Sequence, residues 1–111
     1  MELKVIRGDL RLTRIALSGK LDLEGEGQIG DEFKHLVDTS KTNFLVDMSQ
    51  VSYLASLGIR LLFTMAKSLA SSGKKMVVLN PQPMVEETLM NSGTARLIPI
   101  AHDEEQASRL L

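Results

Sequence analysis

The sequence predicts a small α/β fold, a mixed and mostly parallel sheet of about five strands with about four helices, opening with a β-hairpin. Three observations lead there. Two alternating segments flank Gly8-Asp9 at the start, the signal of a tight hairpin. Beyond it, short apolar runs such as Phe44-Leu45-Val46 and Met76-Val77-Val78-Leu79 are separated by segments with helical apolar spacing. Across Asn43–Leu69 the period changes from strand-like to helix-like, and a strand–helix–strand–helix alternation of this kind demands right-handed crossovers and parallel pairing. At 111 residues the chain reads as a single domain, 1–111.

Taken in order, Glu2–Arg7 places Leu3 and Val5 on one face, and Leu10–Ser18 alternates through Leu12, Ile15 and Leu17 to Gly19. Leu21–Gly30, rich in acids and glycine, reads as a loop. A helix follows from about Gln28 to Val37, with Ile29, Phe33, Leu36 and Val37 on one side. Phe44–Met48 is a buried strand, and a polar turn follows it. Ser56 stands where a helix N-cap belongs, with a side-chain oxygen for the first-turn N–H groups. Leu57–Ser72 is the second helix, ended by Gly73. Two stripes, Gly58/Leu62/Met65/Leu69 and Ile59/Phe63/Ala66/Ala70, should face the sheet, while Arg60, Thr64, Lys67 and Ser71 should be wet. Leu57 and Leu61 lie between, either padding the core edge or forming a small exposed apolar patch beside Ser56. Lys75–Leu79 is a buried strand, Met84–Met90 a third helix, and Leu97–Ile100 an edge strand marked by Pro99. Asp103-Glu104-Glu105 opens a final helix with acids at its positive end.

A net charge of −1 offers no concentrated basic face for nucleic acid or an anionic membrane. The absence of cysteine removes disulfides, zinc–thiolate sites and thiol catalysis together. The charged N-terminus lacks a signal-peptide core, and no apolar run approaches the ~20 residues of a membrane span. The reading is cytoplasmic.

Catalytic chemistry finds little footing. Gly25-Glu26-Gly27-Gln28-Ile29-Gly30 satisfies G-x-G-x-x-G, but Lys20–Glu24 separates it from the preceding strand, and Asp22, Glu24 and Glu26 would repel a phosphate. Ser56 lacks a G-x-S-x-G elbow, and a base would have to be His35 or His102, both on polar segments. Glu86-Glu87 and Glu104-Glu105 are adjacent pairs that point to different sides of a helix. No His, Asp or Glu cluster has metal-ligand spacing. The expectation is therefore no catalytic residue, no metal, no cofactor and no enzyme, with a nucleotide-binding regulator using Gly25–Gly30 as the class that saturable nucleotide binding would reveal.

The run Leu45-Val-Asp-Met-Ser-Gln-Val-Ser-Tyr-Leu-Ala-Ser-Leu-Gly-Ile59 resembles the signature of the STAS domain, in particular that of the bacterial anti-sigma-factor antagonists. Gly19-Lys20-Leu21-Asp22 resembles the Gly-x-Leu-Asp that follows that family's second strand. Lys75–Pro81 and Leu89-Met90-Asn91-Ser92-Gly93 match its later landmarks in order. The resemblance covers nearly the whole chain and implies a STAS-like fold. It also implies a binding switch: the antagonist sequesters an anti-sigma factor that is a serine kinase, is phosphorylated on the serine matching Ser56, and is restored by a serine phosphatase. The partner-binding positions expected around Ser56 are Asp22, Leu57, Gly58, Arg60 and Leu61. Where the family commonly has Asp-Ser-Ser/Thr-Gly, this chain has Ala55-Ser56-Leu57-Gly58. A non-switching STAS module, serving as a scaffold or a transporter-associated subunit, is the alternative.

Overall fold

The computed structural model describes residues 1–111. Its sheet runs β1 (Glu2–Gly8), β2 (Leu12–Leu21), β3 (Asn43–Leu54), β4 (Met76–Leu79) and β5 (Ile100–Ala101). These five lie side by side in chain order, with β1–β2 antiparallel and every later pair parallel. The α-helices are α1 (Leu23–Ser40), α2 (Ser56–Ser71), α3 (Pro83–Asn91) and α4 (Glu104–Leu110). This is the mixed sheet, opening hairpin and four-helix complement read from the sequence.

The two sheet faces are unequal. Leu3, Ile15, Leu17, Phe44, Val46, Met48, Met76 and Val78 join α1, α2 and α3 in one large core. Opposite them, Leu45, Val77, Leu79 and Ala101 meet only α4, through Ala107, with Leu110 and Leu111 at its edge. Arg14 on β2 clamps that helix down, its guanidinium reaching both carboxylate oxygens of Glu104. These hydrogen bonds hold the Glu104 carboxyl below its ordinary range and push Arg14 up.

Several boundaries differ from the sequence reading, each for a physical reason. The acidic, glycine-containing stretch after Leu21 is helix, and α1 starts at Leu23 rather than near Gln28. Asp22 is its N-cap, accepting from the Gly25 N–H at 2.9 Å, so Gly25, Gly27 and Gly30 lie within helical turns and form no phosphate-cradling loop. The polar turn expected after Met48 is absent. Strand β3 continues to Leu54, with Val51 and Leu54 buried and Ser52 and Tyr53 exposed. Two irregularities in the β2–β3 register, at Ala16/Ser18 and Gly19/Lys20, break the alternation that would have shown this. The second coincides with Gly19 at φ +103°, a conformation that suits only glycine. The hairpin loop spans Asp9–Arg11, and its Asp9 Oδ1 accepts from the N–H groups of Arg11 and Leu12 at 2.8 Å. Leu10 is exposed in that loop rather than in a strand. After α3 a 3-10 turn, Thr94–Arg96, delays the edge strand to Ile100.

Candidate functional site

The site is built around the end of β2. Two helices press a glycine against it. A Cβ on Gly25 of α1 would lie 2.1 Å from the Lys20 carbonyl oxygen. A Cβ on Gly58 of α2 would lie 2.5 Å from the Leu21 carbonyl oxygen, 2.6 Å from Leu21 Cγ and 2.9 Å from a Leu54 methyl. No side chain fits at either place. The Leu21 carbonyl also accepts from the Ala55 N–H at 3.0 Å. Asp22 follows Leu21 and Ser56 follows Ala55, so α1 and α2 begin next to one another at the same end of the sheet.

The two starts are finished differently. Ser56 is the first residue of α2, not its N-cap: the cap position belongs to Ala55, and no side chain caps this helix. Helices α1 and α4 each have an aspartate cap and acids in the first turn, and α3 has Glu86. Helix α2 alone has neither cap nor acid. Its first N–H groups, with the positive end of the helix dipole, open beside the exposed Ser56 side chain.

Around Ser56 the residues singled out from the sequence separate. Arg60 is exposed, one helical turn further on, and has no acidic partner. Leu57 is half-buried. Leu61 is only 8 % exposed and belongs to the main core, so it offers no apolar surface to a partner. Gly58 is buried and serves the helix–strand contact. Asp22, also half-buried, spends one carboxylate oxygen on the cap of α1. The helix is rotated slightly from the expected stripes. Leu61 turns in, while Phe63 turns out to 40 % exposure with the Lys67 ammonium 5.6 Å from its ring. The role of Lys20 and Leu21 as anchors of the two helices was not visible in sequence, because it is played by backbone carbonyls. The histidines stand elsewhere: His35 is exposed on α1, and His102 Nε2 lies 2.9 Å from a Glu86 carboxylate oxygen.

This fold and this end of it define a small α/β module that presents a serine at an open helix start. A family model for the STAS domain matches residues 2–107, and the chain belongs to that family. A candidate anti-sigma factor antagonist of Bordetella bronchiseptica, BtrV, is 26 % identical over 92 residues, covering 83 % of this chain and 79 % of that protein. Among solved structures, the Bacillus cell fate determinant SpoIIAA in its phosphorylated form superposes with a TM-score of 0.73 at 20 % identity, over 99 % of this chain and 100 % of SpoIIAA. The murine anion transporter Slc26a9 matches with a TM-score of 0.73 at 16 % identity, over 89 % of this chain but 17 % of the transporter. At such identities the structures share the fold. No helix of the chain is long and apolar enough to cross a membrane.

Proposed function

We propose that this chain is an anti-sigma-factor antagonist acting in the cytoplasm. It binds and sequesters an anti-sigma factor that is a serine kinase, and lets go when that kinase phosphorylates Ser56. A serine phosphatase returns it to the binding form. The observation that carries this reading is the start of α2, the one α-helix with neither a side-chain cap nor a first-turn acid, and with an exposed serine in its first position.

The physics follows from that geometry. A phosphate adds about −1.5 to −2 charges at pH 7. On Ser56 it meets open N–H groups and the positive dipole end, an interaction worth roughly 0.3–1 kcal/mol in its favour. The fold is therefore undisturbed, and the change is felt by the partner. Leu57 supplies the apolar contact beside Ser56, Asp22 and Arg60 the charges, and Gly58 and Leu61 hold that surface from beneath. Arg60 lies four residues after Ser56 on the same helix face, so a phosphate draws its guanidinium away from the partner. A loss of about 3 kcal/mol across the interface weakens binding on the order of a hundredfold.

A second reading is a STAS module that holds a constant partner without switching. It is favoured by Ala55 and Leu57, which stand where an acid and a hydroxyl are common in the resembling family. The experiment that separates the two is a pull-down from native extract with wild type and Ser56→Asp as paired baits, read by mass spectrometry. The proposal expects a kinase-like anti-sigma factor on wild type only. Equal capture of one partner by both baits establishes the second reading instead.

A further inference from the structure

The other end of α2 carries a separate feature. A cleft of about 440 Å³ opens where the end of α2, the start of β4 and the end of α4 come together. That volume falls within the range of small-molecule sites. Its apolar lining is Ala66, Ala70, Met76, Leu97, Pro99 and Leu110. Three cations, Lys74, Lys75 and Arg109, share that lining. No carboxylate lies within ion-pairing distance of either lysine, and Arg109 is shared with the exposed Glu105 alone. A helix C-terminus attracts one cation on its own account. Three beside one apolar hollow, with only Arg109 paired, leave the positive charge of Lys74 and Lys75 uncompensated there.

We propose that this cleft binds a small amphiphilic anion, with a single carboxylate or phosphate head held by Lys74, Lys75 and Arg109 and an apolar body laid over Ala66, Ala70, Met76 and Leu97. The ligand is taken from solution rather than from a bilayer surface. The cations line a hollow instead of spreading over a flat face, and the chain's net charge of −1 gives no general attraction to an anionic membrane. The cleft lies at the far end of α2 from Ser56, and the proposal stands whether or not Ser56 is a switch.

The test is an amide NMR titration of the 111-residue chain with decanoate, with decanol and inorganic phosphate as the body and the head alone. Saturable shifts centred on Ala66, Ala70, Met76 and Leu97 are expected with decanoate, at least about tenfold tighter than with either half-ligand. Lys74→Gln combined with Lys75→Gln should weaken decanoate about tenfold while leaving the unfolding midpoint in place. Ala70→Phe, which fills the cleft from an exposed position, should abolish the shifts. Decanol binding as tightly as decanoate, indifference to the lysine substitutions, or shifts centred elsewhere overturns the proposal. So does sedimentation with phosphatidylglycerol vesicles in the absence of decanoate binding.

Discussion

Helices α1 and α2 start beside one another on the same strand end, each with a glycine against a β2 carbonyl, yet only one is finished. Asp22 caps α1, and Glu24 and Glu26 complement its dipole. Helix α2 follows Ala55, a residue with nothing to offer the first-turn N–H groups. Capping is inexpensive in sequence terms, since one Asp, Ser or Asn at the cap position suffices. The contrast teaches that the glycine contact places a helix start, whereas the cap decides whether that start remains open to an incoming anion.

The largest expected effect comes from breaking what the two starts share. Gly25→Ala and Gly58→Ala each force a methyl into a backbone carbonyl, and each should cost about 2–3 kcal/mol in urea unfolding. Gly58→Ala should also weaken partner capture, because it tilts the helix that carries Ser56. If either variant unfolds at the wild-type midpoint, the anchoring of both helices on β2 is wrong.

What they do not share gives smaller and opposite effects. Asp22→Ala removes a working cap and should cost about 1 kcal/mol. Ala55→Asp supplies a missing one and should gain about 0.5–1 kcal/mol. Equal losses from the two substitutions would erase the difference between the helix starts. Gly27→Ala sharpens the picture of α1 itself. A Cβ there meets nothing within 4 Å, unlike Gly25 two residues before. The substitution should stabilise the chain by about 0.5–1 kcal/mol, measured by thermal or urea unfolding.

The weakest effect belongs to α4, which like α1 has an aspartate cap. Arg14 holds the Glu104 carboxyl below its ordinary value of 4.5. A depressed acid contributes stability that is complete above the unfolded value and lost as pH falls through the folded one. Glu104 is mostly exposed, so Glu104→Gln should cost only about 0.2–1 kcal/mol at pH 7. The difference from wild type should shrink in unfolding curves as pH falls below 4.5 and close once pH has passed the lowered folded value.

How much of this could be read from the sequence follows from the kind of contact involved. Side-chain periodicity revealed the first two strands, the β4 run and α2, because burial of apolar faces fixes those elements, while Gly8-Asp9 marked the hairpin and Pro99 the sheet edge. The start of α1 was hidden, since Gly25, Gly27 and Gly30 are poor helix formers and only the close approach to the Lys20 carbonyl explains the first of them. The last part of β3 was hidden by its register irregularities. Ser56 was legible as the first residues of a helix but off by one place, because Ala55 is an unlikely cap on propensity and occupies it all the same. Leu61, left between the faces by the spacing, settles into the core, and Phe63 turns outward through a small rotation of α2. The Lys74, Lys75 and Arg109 cluster joins segments far apart in the chain, and no local pattern announces it.

The open start of α2 should accept negative charge without cost to the fold. The direct measurement is urea unfolding of wild type and Ser56→Asp side by side at pH 7. Equal stability, or a gain of up to about 1 kcal/mol, is expected for the aspartate variant. A loss of more than about 1 kcal/mol would contradict it, because the charge would then act on the fold itself.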